Sequence, residues 1–459
     1  MPDPTPPDSP APAPARRTWV WVAVLLVIAF ALRVALAFHR PADEASLAAL
    51  PDQVEYLRIA QSFLDGRGFC FYDTGFADTV YAYRMPGYPL LIAACGAKVR
   101  VVQVVQALLD VSSALAAFLL VRRFLSSPPS GEAGWGRGAS DDDRSQFDAR
   151  RPHLTSPGGG GIRNAVALLF VAFNPFLAYF STLLLSETLF TAMLIWGMLW
   201  LTSSRRLVTT IGLLTLILSI YVRPGMIALP TLLALAAVLV RPNLPARRHF
   251  FRIPAGATAI LLTILLLLPW AIRNRQQLGH WVWMTTNDGI TLYDGFNPAA
   301  DGSSNQSSFR SWPELKTMSE VNRSQYLAAL AKQYAVEHPR RVLSLTLAKL
   351  ERFWSPVPLS DEYGQNRSVV LVAAIFTIPL FVLAAAGVWF GTIGRSKKLF
   401  LLLPAVYFTV VHAATIGSLR YRVPVDVPMS VLAAVGAAGV WSRRQPTPEG
   451  PAPRSVDNE

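Results

Sequence analysis

The chain has 459 residues, of which 52% are hydrophobic and only 15% are charged. This balance excludes a soluble globular protein of that length and predicts a polytopic helical membrane protein. The formal net charge of +13 does not indicate nucleic-acid binding, because the Lys and Arg residues lie in short clusters between apolar runs, where membrane orientation places them.

Apolar runs along the chain predict about ten membrane crossings. Residues 1–18 are rich in Pro and Ala and predict a disordered cytoplasmic tail, and residues 442–459 predict another. The region between them, 19–441, is the predicted catalytic domain. Each apolar run in it is near or slightly below the roughly 20 residues that a crossing needs. The predicted crossings are 19–38, 101–121, 163–180, 188–202, 207–222, 225–240, 254–271, 368–391, 399–417 and 423–441.

Counting crossings from a cytoplasmic N-terminus assigns each polar segment to one side of an inner (plasma) membrane. The dense cationic clusters and the flexible loop 122–162 then lie inside, as the positive-inside tendency requires. The run 86–97 is too short to cross and is predicted to lie at the outer surface. The first loop (39–100), the long segment (273–367) and the turn around Glu187 fall outside. Their convergence on one face predicts a single extracytoplasmic site.

Asp52 is the leading catalytic candidate in the first loop. With Glu55 and Tyr56 it opens an amphipathic stretch of helical periodicity, and a helix N-terminus favours a carboxylate. A structural role at the helix start explains Asp52 equally well at this stage. Glu187 is the second candidate acid, because a carboxylate within apolar sequence is costly unless it faces a polar cavity or caps a helix.

Basic residues near the predicted outer surface complete the candidate site. Guanidinium and ammonium groups there suit a phosphate or diphosphate whose lipid tail stays in the bilayer. Each of them alone also fits a snorkelling side chain. Lys349 and Arg352 are three residues apart and therefore share a helix face. The candidate phosphate-binding cations are Arg84, Arg223, Arg273, Lys349 and Arg352.

Several short motifs follow one another in order along the chain. They are Asp52-x-x-Glu55-Tyr56, Arg84-Met-Pro-Gly-Tyr-Pro89, Leu185-Ser186-Glu187, Arg223-Pro224, Pro269-Trp270-x-x-Arg273-Asn274, Thr285-Thr286-Asn287 to Asn297-Pro298, and Arg420-Tyr421-Arg422-x-Pro424. This order resembles that of the bacterial family 39 glycosyltransferases, relatives of the protein O-mannosyltransferases and of the lipid A aminoarabinose transferase. The resemblance covers residues 19–441 and implies a GT-C fold.

The resemblance implies an inverting transferase that moves a sugar from a polyprenyl-phosphate donor to a hydroxyl of a lipid, glycan or protein. By similarity, Asp52 is the general base, Glu187 helps to shape the site, and Arg84 lies near the donor phosphate. The motifs add further candidate binding residues: Glu55, Tyr88, Asn274, Arg420 and Tyr421. Two positions depart from the family pattern. Gln53 interrupts the usual acidic pair, and Phe296 replaces a common Asn.

Some relatives bind a divalent metal between acids, and here Asp52, Glu55 and Glu187 are the candidate ligands. The sequence leaves metal dependence open, and the two cysteines lack metal-ligand spacing. Two other functions also stay open. A polyprenyl-diphosphate glycan ligase or polymerase differs mainly in its donor, and a transporter of lipid-linked sugar uses similar charges without catalysis.

Within the long segment, Asn287-Asp288-Gly289 lies between bulky residues and predicts a β-hairpin. Trp281 and Trp283 precede this turn. They fit either a sugar-stacking role or an aromatic belt at the membrane interface.

Overall fold

The structure is a computed structural model that describes residues 16–125, 159–240, 248–359 and 366–444. The two predicted tails, 1–18 and 442–459, and the predicted loop 122–162 fall mostly outside these residues. Apart from one short pair of strands, the regular elements of the described chain are all helices. An all-α membrane protein, as predicted, accounts for this architecture.

The first half of the described chain combines long apolar helices with short helices in the first loop. In α3, Pro51 occupies the first helical position, where its missing N–H costs nothing. The elements are α1 (Arg16–His39), α2 (Glu44–Ala48), α3 (Pro51–Leu64), β1 (Phe71–Asp73), β2 (Asp78–Val80), α4 (Gly87–Ala94), α5 (Val99–Leu125), α6 (Gly159–Ala172), α7 (Pro175–Phe180), α8 (Glu187–Leu201), α9 (Arg206–Leu218) and α10 (Leu229–Val240).

The second half places five helices of the long segment between membrane-length helices. Two 3₁₀ turns, Ser219–Tyr221 and Pro224–Met226, join α9 to α10. The remaining elements are α11 (Arg248–Leu278), α12 (Asn287–Gly295), α13 (Ser307–Arg310), α14 (Pro313–Thr317), α15 (Glu320–Glu337), α16 (Pro339–Trp354), α17 (Arg367–Phe390), α18 (Arg395–Ala414) and α19 (Leu419–Arg444).

Six helices within the described residues are long and apolar enough to cross a membrane: α1, α5, α11, α17, α18 and α19. Shorter apolar helices lie where three other crossings are predicted, at 187–201, 206–221 and 224–240. The tenth predicted crossing, 163–180, is interrupted. The side chain of Asn174 accepts hydrogen bonds from two backbone N–H groups and starts α7 anew after α6 has ended.

The structure differs from the predictions at the start of the long segment and in the secondary structure of residues 287–289. α11 continues to Leu278, so Arg273 and Asn274 lie in its last turns rather than beyond it. The predicted hairpin around Asn287-Asp288-Gly289 is wrong, because these residues begin α12. Asp288 accepts a hydrogen bond from the Thr285 hydroxyl at 2.7 Å, and Gly289 faces a neighbouring backbone instead of forming a turn.

Two large hydrophobic cores lie within the described residues. The larger one lies among the long helices, and its most buried side chains come from α5, α8 and α19. The second lies under the β1–β2 hairpin, where side chains of α3, the hairpin and the long segment pack together, among them Ile59, Phe76, Tyr83, Tyr293 and Phe309. This second core fixes the long segment against the first loop.

Candidate active site

A cavity of about 720 Å³ lies where the first loop, the long segment and the start of α19 meet. Its volume is within the range of small-molecule sites, about 300–1,000 Å³. One wall consists of hydroxyl and amide side chains from residues 303–307. Six of the residues that the sequence predicts for the site line this cavity: Asp52, Glu55, Arg84, Arg352, Arg420 and Tyr421.

Asp52 is held between two arginines at the cavity surface. Arg84 Nη2 donates to Asp52 Oδ1 at 2.5 Å and to Glu55 Oε2 at 2.6 Å. On the other side, Arg420 Nη2 lies 2.8 Å from Asp52 Oδ2. Asp52 occupies the first turn of α3, and Glu55 follows three residues later on the same helix face. The helix therefore presents both carboxylates to the same guanidinium.

Glu187 lies behind the cavity wall and does not line the cavity. It is fully buried at the first position of α8 and forms ion pairs with Arg420 and, at 3.4 Å, with Arg223. The Arg223 guanidinium lies 5.2 Å from the centroid of the Tyr421 ring. Arg420 thus bridges Asp52 and Glu187. Glu187 contributes to the site by positioning Arg420.

Gln53, which interrupts the acidic pair of the family pattern, is a structural link. Its side-chain amide donates to the carbonyl of Leu47 at 3.3 Å and accepts from the N–H of Leu184 at 2.9 Å. A carboxylate has no proton to donate to the first partner. The amide therefore joins α2 to the segment before α8, and this joint brings Asp52 and Glu187 toward the same arginine.

The pKa values of the two carboxylates of α3 are shifted in opposite directions. Burial by itself raises the pKa of Asp52, but the guanidinium groups of Arg84 and Arg420 outweigh it and hold that pKa well below its usual range. Burial raises the pKa of Glu55, and the charge of Asp52 adds to the rise while Arg84 opposes it. Of the two carboxylates, Asp52 is thus the one whose ionised form its surroundings stabilise more.

Arg84 is positioned by a clamp on the backbone of residues 81–82. Arg273 Nη1 donates to the carbonyl of Tyr81 at 2.6 Å. From the other side, the carboxylate of Glu320 accepts from the N–H groups of Tyr81 and Ala82 at 2.6 and 2.9 Å. Arg273 is a predicted binding residue, but its contacts hold the chain that carries Arg84.

Three more predicted binding residues lie outside the cavity. Asn274 accepts from Arg273 and donates to the carbonyl of Val282 at 2.9 Å. Tyr88 is fully buried, and its hydroxyl donates to Gln106 Oε1 at 2.6 Å. Arg223 contacts Glu187, as described above. These positions support the elements that carry the cavity residues.

Lys349 is buried beneath the two loops that border the cavity. Its Nζ lies 3.5 Å from the centroid of the Phe296 ring, and it has no hydrogen-bond partner among the described residues. Burial lowers the pKa of Lys349 to about 8, against the opposing charge of Asp294. The loops themselves are joined above it by a hydrogen bond from Gly417 N to the carbonyl of Gly302 at 3.0 Å.

The sequence interpretation missed two parts of the cavity. Arg310 lines it and forms ion pairs with Asp73 and, at 3.8 Å, with Glu55. The polar wall of residues 303–307 is held by Asp294, whose carboxylate accepts from the Ser304 hydroxyl at 2.6 Å and from a backbone N–H at 2.8 Å. The run Ser303-Ser304-Asn305-Gln306-Ser307 was the one available signal, because five consecutive small or amide side chains suit contacts with hydroxyl groups.

The candidate metal ligands do not converge. Arg84 lies between Asp52 and Glu55, and Arg420 lies between Asp52 and Glu187. Across the described ranges, no group of three or more His, Cys, Asp or Glu side chains is arranged to hold a metal ion. The carboxylates of this site are arranged around arginines, so no chemical step is assigned to a metal.

No family model matches the sequence, and no curated protein matches it.

Proposed function

We propose that the protein is a membrane glycosyltransferase that uses a polyprenyl-phosphate sugar on the extracytoplasmic side, with Asp52 as general base. One observation carries this proposal: an ionised carboxylate faces a cavity of about 720 Å³ between arginines and a wall of hydroxyl and amide groups. The arginines suit the phosphate of the donor. The hydroxyl and amide wall suits its sugar.

The chemistry follows from this placement. Asp52 takes the proton of the acceptor hydroxyl. At the same time the oxygen of that hydroxyl bonds to the anomeric carbon of the donor sugar, and the bond between this carbon and the phosphate oxygen breaks. Polyprenyl phosphate leaves, and the configuration inverts. Arg84, Arg352 and Arg420 neutralise its charge as it develops. A phosphate that shares Arg84 and Arg420 also weakens their hold on Asp52 and raises its proton affinity.

The test is transfer of radiolabelled sugar from a polyprenyl-phosphate donor to total membrane acceptors by the purified protein. Asp52→Asn is expected to reduce transfer about 10²–10⁴-fold, the usual contribution of a general base. Asp65→Asn is the matched control, because Asp65 is an exposed acid at the end of the same helix that pairs only with the surface residue Arg67 among the described residues. Full transfer by Asp52→Asn contradicts the proposal.

The kind of donor that is used distinguishes this proposal from a ligase or polymerase, and the formation of a glycosidic bond distinguishes it from a transporter. A ligase or polymerase is expected to use a diphosphate-linked donor and to leave the monophosphate untouched. A transporter is expected to move lipid-linked sugar across vesicles without forming a new glycosidic bond.

A further inference from the structure

A second cavity, of about 310 Å³, adjoins the candidate active site. The end of α2, α3 and the β1–β2 hairpin form its walls. It shares Pro51, Glu55 and Arg310 with the larger cavity. Asp52 lies three residues before Glu55, on the same face of α3. A group that enters the smaller cavity is therefore separated by Glu55 and Arg310 from the larger cavity, which Asp52 lines.

The partition between the two cavities is a loose ion pair. Glu55 Oε1 lies 3.8 Å from Arg310 Nη2, which is too long for a hydrogen bond. Glu55 is bonded to Arg84 on its other oxygen, and Arg310 is bonded to Asp73. The two side chains can separate without breaking a direct hydrogen bond between them.

The smaller cavity has a different chemistry from the larger one. Its charges balance, with Glu55 and Asp73 opposite Arg58 and Arg310. The ring of Tyr72, 54% exposed, adds an aromatic surface. Carboxylates accept hydrogen bonds from hydroxyl groups and arginines donate to them, while an aromatic face covers an apolar ring surface. This combination suits a ligand rich in hydroxyl groups and without a strong charge of its own.

We infer that the smaller cavity binds the acceptor, and that the acceptor is a carbohydrate. This inference rests on the proposed function. The cavity volume is at the lower end of small-molecule sites, about 300–1,000 Å³, and so fits one sugar ring or a head group of that size. The acceptor hydroxyl passes between Glu55 and Arg310 and gives its proton to Asp52. Its oxygen then replaces the phosphate of the donor that occupies the larger cavity.

The first experiment measures transfer by the full-length protein with a radiolabelled polyprenyl-phosphate sugar and a titrated glycolipid extract of membranes. Tyr72→Ala is expected to raise the half-saturating concentration of the extract about tenfold and to leave that of the donor unchanged. Tyr326→Ala is the control, since this partly exposed tyrosine of α15 lines neither cavity. It is expected to behave as the wild type.

Three outcomes overturn the inference or its carbohydrate assignment, and a fourth concerns the proposed function. If Tyr72→Ala leaves the half-saturating concentration of the extract unchanged, the inference is overturned. It is also overturned if Tyr72→Ala raises the half-saturating concentration of the donor by the same factor. Transfer to a pool of Ser- and Thr-containing peptides, but not to the extract, overturns the carbohydrate assignment. No transfer by the wild type overturns the proposed function itself and leaves the second measurement to decide the cavity.

The second measurement does not need turnover. In a background with Cys70→Ala and Cys95→Ala, the variant Thr74→Cys places a thiol in the smaller cavity. The glycolipid extract is expected to slow alkylation of this thiol, and polyprenyl phosphate is not. Equal slowing by both ligands, or slowing by neither, contradicts acceptor binding in this cavity.

Discussion

Arg420 is the residue that connects Asp52 with Glu187. It contacts Asp52 from the cavity side and Glu187 from the buried side. Its charge is one of the two that keep the pKa of Asp52 low against the effect of burial. The first prediction follows from the sign of that effect.

We expect Arg420→Gln to move the acidic limb of the pH profile of transfer to higher pH. Asp52 accepts a proton only when ionised, so transfer falls as the pH drops through its pKa. Removing a neighbouring positive charge raises that pKa, and a charge at this distance changes the pKa of an Asp by about 1–3. The limb is therefore expected to move by about one pH unit or more.

The control for this prediction is Arg352→Gln. Arg352 lines the same cavity but pairs with Asp301, at 3.0 Å, instead of Asp52. It is expected to weaken use of the donor without moving the acidic limb. If both variants keep the wild-type limb, Asp52 is not the group that titrates.

At single positions, the sequence predicted the members of the site better than their roles. Asp52, Arg84 and Arg420 belong to recognisable motifs, and the structure brings them within hydrogen-bond distance. Arg310 and Glu320 were missed, because their partners lie more than 230 residues away along the chain. Local pattern carries no signal for such a pairing, which depends on how the long segment packs onto the first loop.

At the scale of elements, Gly289 of α12 shows that the same glycine can indicate either a turn or a close contact between helices. Asn-Asp-Gly is a strong turn signal, yet here Gly289 is in a helix because it faces α15. A Cβ atom at this position would lie 1.9 Å from the backbone oxygen of Ser324. The glycine allows two helices of the second core to approach closely, and only their tertiary packing distinguishes this use from a turn.

We expect Gly289→Ala to lower the thermal midpoint of the detergent-solubilised protein, measured by tryptophan fluorescence. Helix propensity alone favours alanine by about 1 kcal/mol, whereas overpacking costs about 1–3 kcal/mol and occasionally more. The overlap is with backbone, which cannot rotate away, so overpacking is expected to win. Transfer is expected to fall too, because α15 begins at Glu320 of the clamp that positions Arg84.

Gly225→Ala provides the comparison for this variant. Among the described residues, a Cβ atom there meets only the side chain of Val411, at 3.7 Å, and the expected change in the free energy of unfolding is within about 0.5 kcal/mol. A Gly289→Ala protein as stable as this control contradicts the close packing of α12 on α15.

At the scale of the whole molecule, the ion pairs constrain how the chain passes through the membrane. Glu187 begins α8 and contacts Arg420, which contacts Asp52 in the first loop, and Arg223, which follows α9, contacts Glu187. These loops therefore meet at one end of the helical bundle. For that to occur, the shorter helices α8, α9 and α10 have to run between the two ends of the bundle, as the longer ones do.

The short length of α8 is compatible with this path. Its 15 residues span about 22 Å, less than the roughly 30 Å of a hydrocarbon core. Most of its side chains are buried by other helices, so its ends meet protein instead of lipid. The length and hydropathy of an apolar run describe one helix without its neighbours. For this reason they predict only an approximate number of crossings.

We expect labelling of single cysteines to distinguish ten crossings from the six that length and composition support. In a background with Cys70→Ala and Cys95→Ala, Gly225→Cys lies at an exposed position after α9 and Ser204→Cys at an exposed position before it. With ten crossings, a membrane-impermeant maleimide labels Gly225→Cys in intact cells and Ser204→Cys only after permeabilisation. With only the six crossings, both positions stay protected until permeabilisation, and Glu187 and Arg223 then lie on the side of the membrane opposite to the first loop, which carries Asp52. The labelling of Gly225→Cys therefore tests the topology and the assembly of the candidate site together.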